Sequence, residues 1–130
     1  MPKVLLVEDD QFLSTLLKNR LEKEKFEVSL AHDGDEALTM LREQKPNIIL
    51  LDIILPGKSG FEVLEEIHSD PQLMDKKDIP VIVISNLGQE SDMARGKEFG
   101  VLDYFVKARI SIDDLVGKVK SHIGQSEDAS

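Results

Sequence analysis

Four stretches of this chain, far apart in sequence, each end an apolar run with polar side chains. Glu8-Asp9-Asp10 follows Val4-Leu5-Leu6-Val7, Asp52 follows Ile48-Ile49-Leu50-Leu51, Ser85 follows Val81-Ile82-Val83-Ile84, and Lys107 follows Tyr104-Phe105-Val106. Short runs rich in Val, Ile and Leu, separated by helical stretches, read as parallel strands buried on both faces. In an open parallel sheet the ligand site lies outside the carboxyl ends of the strands. Carboxylates, a hydroxyl and an ammonium therefore converge on one rim.

The rest of the chain fits that frame. Strands are predicted near Lys3 to Glu8, Glu27 to Ala31, Asn47 to Asp52, Pro80 to Ser85 and Leu102 to Lys107. Between them, Phe12, Leu13, Leu16, Leu17 and Leu21 form an apolar stripe at helical spacing, and Ile112, Leu115, Val116, Val119 and Ile123 form another. Asp33, three residues before Glu36, reads as a helix N-cap; Ser59 and Ser111 read as further caps, and Gly100 suits a position just past a helix end. Five βα units with right-handed crossovers give a doubly wound α/β sheet with helices on both faces. Ser69 to Asp78, polar and carrying Pro71, reads as a longer loop. Residues 1–124 form one domain in this reading, and Gln125 to Ser130 a disordered tail.

The acidic cluster carries the sharpest chemistry. Two carboxylates about 4 Å apart repel by roughly 4 kcal/mol at an effective dielectric near 20, which is large beside the net stability of a domain. Glu8, Asp9 and Asp52 offer only oxygen donors, so a hard divalent cation, Mg²⁺, is the natural partner. Asp10 taken alone reads as a helix cap. Lys107 and Ser85 supply what a phosphoryl group needs, an ammonium and a hydroxyl donor for its oxygens, which makes Asp52 the candidate nucleophile.

Composition excludes several classes. The chain has 130 residues, 41% of them hydrophobic, with no cysteine and a formal net charge of -9. Disulfides and thiolate metal sites are excluded, and so much negative charge argues against direct nucleic-acid binding. No apolar run approaches the roughly 18 residues of a membrane span, so a cytoplasmic location is expected.

Together, Val7-Glu8-Asp9-Asp10, Leu51-Asp52-Ile53-Ile54-Leu55-Pro56 with Gly60, Ser85, and Asp103-Tyr104-Phe105-Val106-Lys107 resemble the receiver domain of two-component response regulators, the CheY-like family, over about residues 3–123. The resemblance implies a flavodoxin-like sheet with strand order 2-1-3-4-5. It implies that Glu8 and Asp9 are the acidic metal pair, that the Ile54 carbonyl is a further Mg²⁺ ligand, and that Asp52 is the phosphoacceptor. Ser85 matches the switch hydroxyl, Lys107 the phosphate-contacting lysine, and Tyr104 the aromatic that changes rotamer on activation. The implied donor is a sensor histidine kinase or phosphotransfer protein. The implied output face is about residues 89–122, acting on an effector protein or a lost output domain, in a monomer or a phosphorylation-dependent homodimer.

This sequence departs from the family pattern at Asn86, where Ala or Gly is usual, and at Ala108, which replaces a proline. Apolar Ile54 and Leu87 also stand two residues beyond Asp52 and Ser85, at positions that flank the phosphoryl group. Three rival readings fare worse. A flavin-type phosphate cradle after the first strand would be repelled by Glu8-Asp9-Asp10. A haloacid-dehalogenase-type phosphatase needs a second Asp where Ile54 stands, and a receiver kept only as a binding module would not need all five polar residues. His32, His68 and His122 share no ligand spacing and read as surface or helix-end residues, while Met74 and Met93 read as core or loop filler.

Overall fold

The computed structural model of the chain describes residues 1–86 and 90–128, with side chains through residue 123. Strands β1 (Lys3–Val7), β2 (Glu27–Ala31), β3 (Ile48–Asp52), β4 (Val81–Ser85) and β5 (Asp103–Val106) alternate with helices α1 (Gln11–Lys23), α2 (Gly34–Glu43), α3 (Gly60–Ser69), α4 (Glu90–Glu98) and α5 (Ile112–Asp128). All pairings are parallel and the strand order is β2-β1-β3-β4-β5, the 2-1-3-4-5 arrangement. Helix α5 runs to Asp128, past Gln125 where a tail is expected from sequence, and Ala129 and Ser130 lie outside the described residues.

Alternation along the strands sorts the core into two layers. Leu5, Val7, Ile49, Leu51, Val81 and Val83 join Leu38, Leu41, Phe61 and Leu64 on the α2 and α3 side. Val4, Leu6, Ile48, Leu50, Ile82 and Ile84 join Leu17, Leu21, Leu115 and Val119 on the α1 and α5 side. Every residue of β3 and β4 is buried, as strands covered on both faces must be, whereas β5 is half-buried along its whole length.

Helix starts follow the cap residues. Asp10, Asp33 and Ser59 accept from the backbone N–H three residues on, and Ser111 does the same for Asp114. Gly100, at φ +74°, follows α4, where the left-handed backbone that closes a helix suits glycine.

Two expectations change. Of the apolar stripe in α1 only Leu17 and Leu21 are buried and Leu13 is partly so, while Phe12 is 79% and Leu16 38% exposed. The buried arc is the narrow i, i+4 row Leu13-Leu17-Leu21 with Ser14 beside it, whose hydroxyl donates to the Gln11 carbonyl. The stretch read as a loop contains a 3-10 helix, Pro71–Lys76, capped by Asp70. It is anchored by fully buried Leu73 and by Lys76, whose ammonium donates to the Leu41 carbonyl near the end of α2. Met74 on the same turn is exposed rather than core, and Met93 is half-buried.

Candidate functional site

Register alone brings the first two acids together. Val7 pairs with Leu51, so Glu8 and Asp52, one residue on in each chain direction, stand side by side on the central strands. Both are buried, at 1% and 3% exposure, while Asp9 is exposed at the rim. Asp10 is turned away into its cap, accepting from Leu13 N at 3.1 Å, so it is not part of the carboxylate group.

One strand further out, Ser85 pairs with Val106, which puts Lys107 just beyond the end of β4. The Lys107 Nζ donates to Asp52 Oδ2 at 2.8 Å and to Glu8 Oε1 at 3.0 Å, and it lies 2.8 Å from Glu8 Oε2. Asp52 Oδ1 accepts from the Ile54 N–H at 3.2 Å, so both Asp52 oxygens are oriented by hydrogen bonds. Behind the lysine stem lies a cavity of about 40 Å³ bordered by Leu13, Leu17, Ile84 and Leu115, too small for an organic cofactor.

Crowding leaves its mark on Glu8. Burial pushes its carboxyl up to about 7, against the lowering pull of the Lys107 hydrogen bond and with further raising by Asp52. Burial lowers the Lys107 ammonium, yet hydrogen bonds to Asp52 and Glu8 outweigh it and hold the lysine above its ordinary value. Three carboxylates facing one ammonium leave a formal excess of two negative charges when all are ionised.

The donor set fits a hard divalent cation. Glu8, Asp9 and Asp52 each present an oxygen within 4.8 Å of the others, the one such grouping among the described residues. Glu8 Oε2 is buried and faces the Lys107 ammonium at 2.8 Å as an ion pair outside hydrogen-bond geometry, so it keeps acceptor capacity for a ligand.

Ser85 is fully buried; burial raises the Tyr104 phenol, partly offset by the neighbouring Ser85 hydroxyl. Tyr104 thus leans inward, next to the site rather than over solvent. Ile54 is 54% exposed beside Asp52 and Asn86 is exposed beyond Ser85, whereas Leu87 lies outside the described residues. The Lys107–Ala108 bond is trans, and Lys107–Arg109 forms a short 3-10 turn. None of the three histidines joins a metal grouping among the described residues.

Two supports of the β3–α3 loop have a packing role that the sequence motif, though it includes Gly60, does not state. A Cβ at Gly60 would stand 2.4 Å from the Asp52 carbonyl, so only glycine lets α3 start this close to the strand. Lys58 is tied to Glu66 on α3. An Asp to Gly interval of eight residues could have flagged the first, whereas a loop-to-helix ion pair has no periodicity to find.

Comparison with known proteins agrees with this geometry. Residues 4–120 match the family described as the response regulator receiver domain. The phosphate regulon transcriptional regulatory protein PhoB of Rhizobium meliloti (strain 1021) is 37% identical over 127 residues, covering 98% of this chain and 54% of that protein. The chain thus spans about half the length of that relative. A CheY-like receiver domain protein from Methanospirillum hungatei JF-1 superposes with a TM-score of 0.87 at 25% identity, covering 100% of this chain and 99% of that one. The Mn²⁺-bound form of the response regulator Rcp1 does so at 0.79 with 35% identity and 93% coverage of both chains. With the sheet order, the carboxylates at the rim and these matches in agreement, the chain belongs to the response regulator receiver domain family of two-component signalling.

Proposed function

We propose that this receiver domain is a phosphorylation-driven switch in which Asp52 is the phosphoacceptor. The observation that carries the reading is the grip of Lys107 on Asp52 Oδ2 and Glu8, beside three carboxylate oxygens gathered within 4.8 Å. An Asp52 carboxylate oxygen attacks the phosphorus of a phosphohistidine on a sensor kinase or phosphotransfer protein. The P–N bond breaks, its electron pair stays on the imidazole nitrogen, and an acyl phosphate forms on Asp52.

Glu8, Asp9, Asp52 and the Ile54 main-chain carbonyl would hold Mg²⁺. When bound, Mg²⁺ supplies positive charge against the phosphoryl oxygens. Lys107 exchanges its carboxylate partners for a phosphoryl oxygen, and the Ser85 hydroxyl donates to another. Tyr104, next to Ser85, passes the change to the face of residues 89–122. That the similar response regulator Rcp1 has a Mn²⁺-bound form supports a divalent ion for this chain.

In this reading residues 1–124 are the receiver and 125–130 a tail or linker. The output is an effector protein or a separate output domain, reached from a monomer or a phosphorylation-dependent dimer in the cytoplasm. Like receiver domains generally, the chain is a regulatory switch rather than a turnover enzyme.

Intact-mass measurement after incubation with acetyl phosphate and Mg²⁺ tests the assignment. Wild type should gain one phosphoryl group and Asp52→Asn none. An adduct that persists in the variant would place the acceptor elsewhere.

A further inference from the structure

Helix α4 buries one residue, Gly96. Glycine is the poorest helix former after proline, so its place inside the last turn of α4 calls for a packing reason. A methyl group there would meet Val101 Cγ2 at 3.2 Å and the Tyr104 ring, at Cδ2, at 3.6 Å. Gly117, in the middle of α5, has nothing within 4 Å of the same position.

Tyr104 lies between two options. On one side its ring packs against the core and lies against Gly96. It also lines an open groove of about 240 Å³ with Met93, Lys97, Val101 and Leu102. We infer that Gly96 is a positioning residue of the switch: its missing side chain leaves the seat on which the Tyr104 ring lies when packed inward against the core. A longer side chain at that position fills the seat and drives the ring toward the groove. This rests on the switch role given to Ser85 and Tyr104 above and carries it onto α4.

The chain has one tyrosine and no tryptophan, so its tyrosine emission comes from Tyr104 alone. Gly96→Leu is compared with Gly117→Leu, which adds the same side chain to a helix position with open space. Leucine is a good helix former, so neither change weakens its helix intrinsically.

In Gly96→Leu, Tyr104 should become more accessible to acrylamide quenching, and its emission should lose the response to beryllofluoride with Mg²⁺. Phosphoryl uptake on Asp52 should stay at the wild-type level. Helical circular dichroism should hold, which a generally loosened α4 would not allow. Gly117→Leu should match wild type throughout.

Wild-type quenching and a wild-type emission response in Gly96→Leu would overturn the seat. If wild type takes up no phosphoryl group, the switch reading fails instead, while quenching, which needs no activator, still decides the seat. Should Gly96→Leu not fold, Gly96→Met carries the same comparison, because its longer, flexible side chain also reaches past the ordinary contact a methyl would make with the ring, and no rise in quenching there would overturn the proposal.

Discussion

The centre of the sheet and its β5 edge are built to different specifications. Strands β3 and β4 are buried at every residue, and with β1 they hold Glu8, Asp52 and Ser85. Strand β5 is half-buried throughout, and α4 beside it buries only Gly96. The centre fixes charge where it is costly to move. The edge holds Tyr104 and Lys107 with less packing, so small changes in local free energy suffice to move them.

The widest gap between the two regions should appear in stability. Leu50→Ala, at a fully buried central site, should cost about 2 to 5 kcal/mol. Val106→Ala on the edge should cost clearly less, and urea denaturation measures both. Equal losses would erase the distinction.

A second comparison uses the metal. If the central carboxylates are the ion site, Mg²⁺ at a hundred times its dissociation constant should stabilise the fold by about 2.7 kcal/mol, seen as a higher melting temperature. Asp9→Asn removes a like charge from the group, so it should stabilise the protein without Mg²⁺ by on the order of 1 kcal/mol and remove most of the Mg²⁺ increment. Calorimetry with and without the ion reads both, and a melting temperature indifferent to millimolar Mg²⁺ would count against the site.

Coupling between the regions is tested at Ser85. Ser85→Ala should still accept a phosphoryl group, because Asp52 and Lys107 remain. It should mute the response of residues 90–122, a coupling worth about 1 to 3 kcal/mol in comparable two-site systems. Amide chemical shifts with and without beryllofluoride decide it, and equal responses in variant and wild type would break the link.

The smallest effect concerns the lifetime of the phosphorylated form. Ile54 is exposed beside Asp52 and cannot hold a water, so Ile54→Asn should speed phosphate release by about tenfold, a barrier change of about 1.4 kcal/mol. Leu87→Glu should act in the same direction. A wild-type rate at or above that of both variants would show that another group positions the water.

Much of this was legible in the sequence because strands buried on both faces leave continuous apolar runs, and their polar ends mark the rim. Caps were legible for the same local reason, as at Asp33 and Ser59. What sequence missed depends on packing between elements. Phe12 and Leu16 share helical spacing with Leu17 and Leu21, yet α1 meets the sheet along too narrow an arc to cover them. The turn at Pro71–Lys76 is short and half polar, so the burial of Leu73 and Lys76 shows no period. For Lys107 the residue was legible but not its partners. Sequence reading paired it with a phosphoryl group, and the structure shows it holding Glu8 and Asp52.

That lysine also sets an order in time. It lies 99 residues from Glu8 and 55 from Asp52 along the chain, so both contacts are long-range and the first is among the most distant a folding chain of this length can make. Until β5 docks, Glu8 and Asp52 repel each other without a counter-charge, and the acceptor proposed above lacks the ammonium that would steady an incoming phosphoryl group. A partly folded chain therefore holds its acids but not its chemistry. In the switch proposed above, competence waits on the docking of β5, the strand that delivers Lys107.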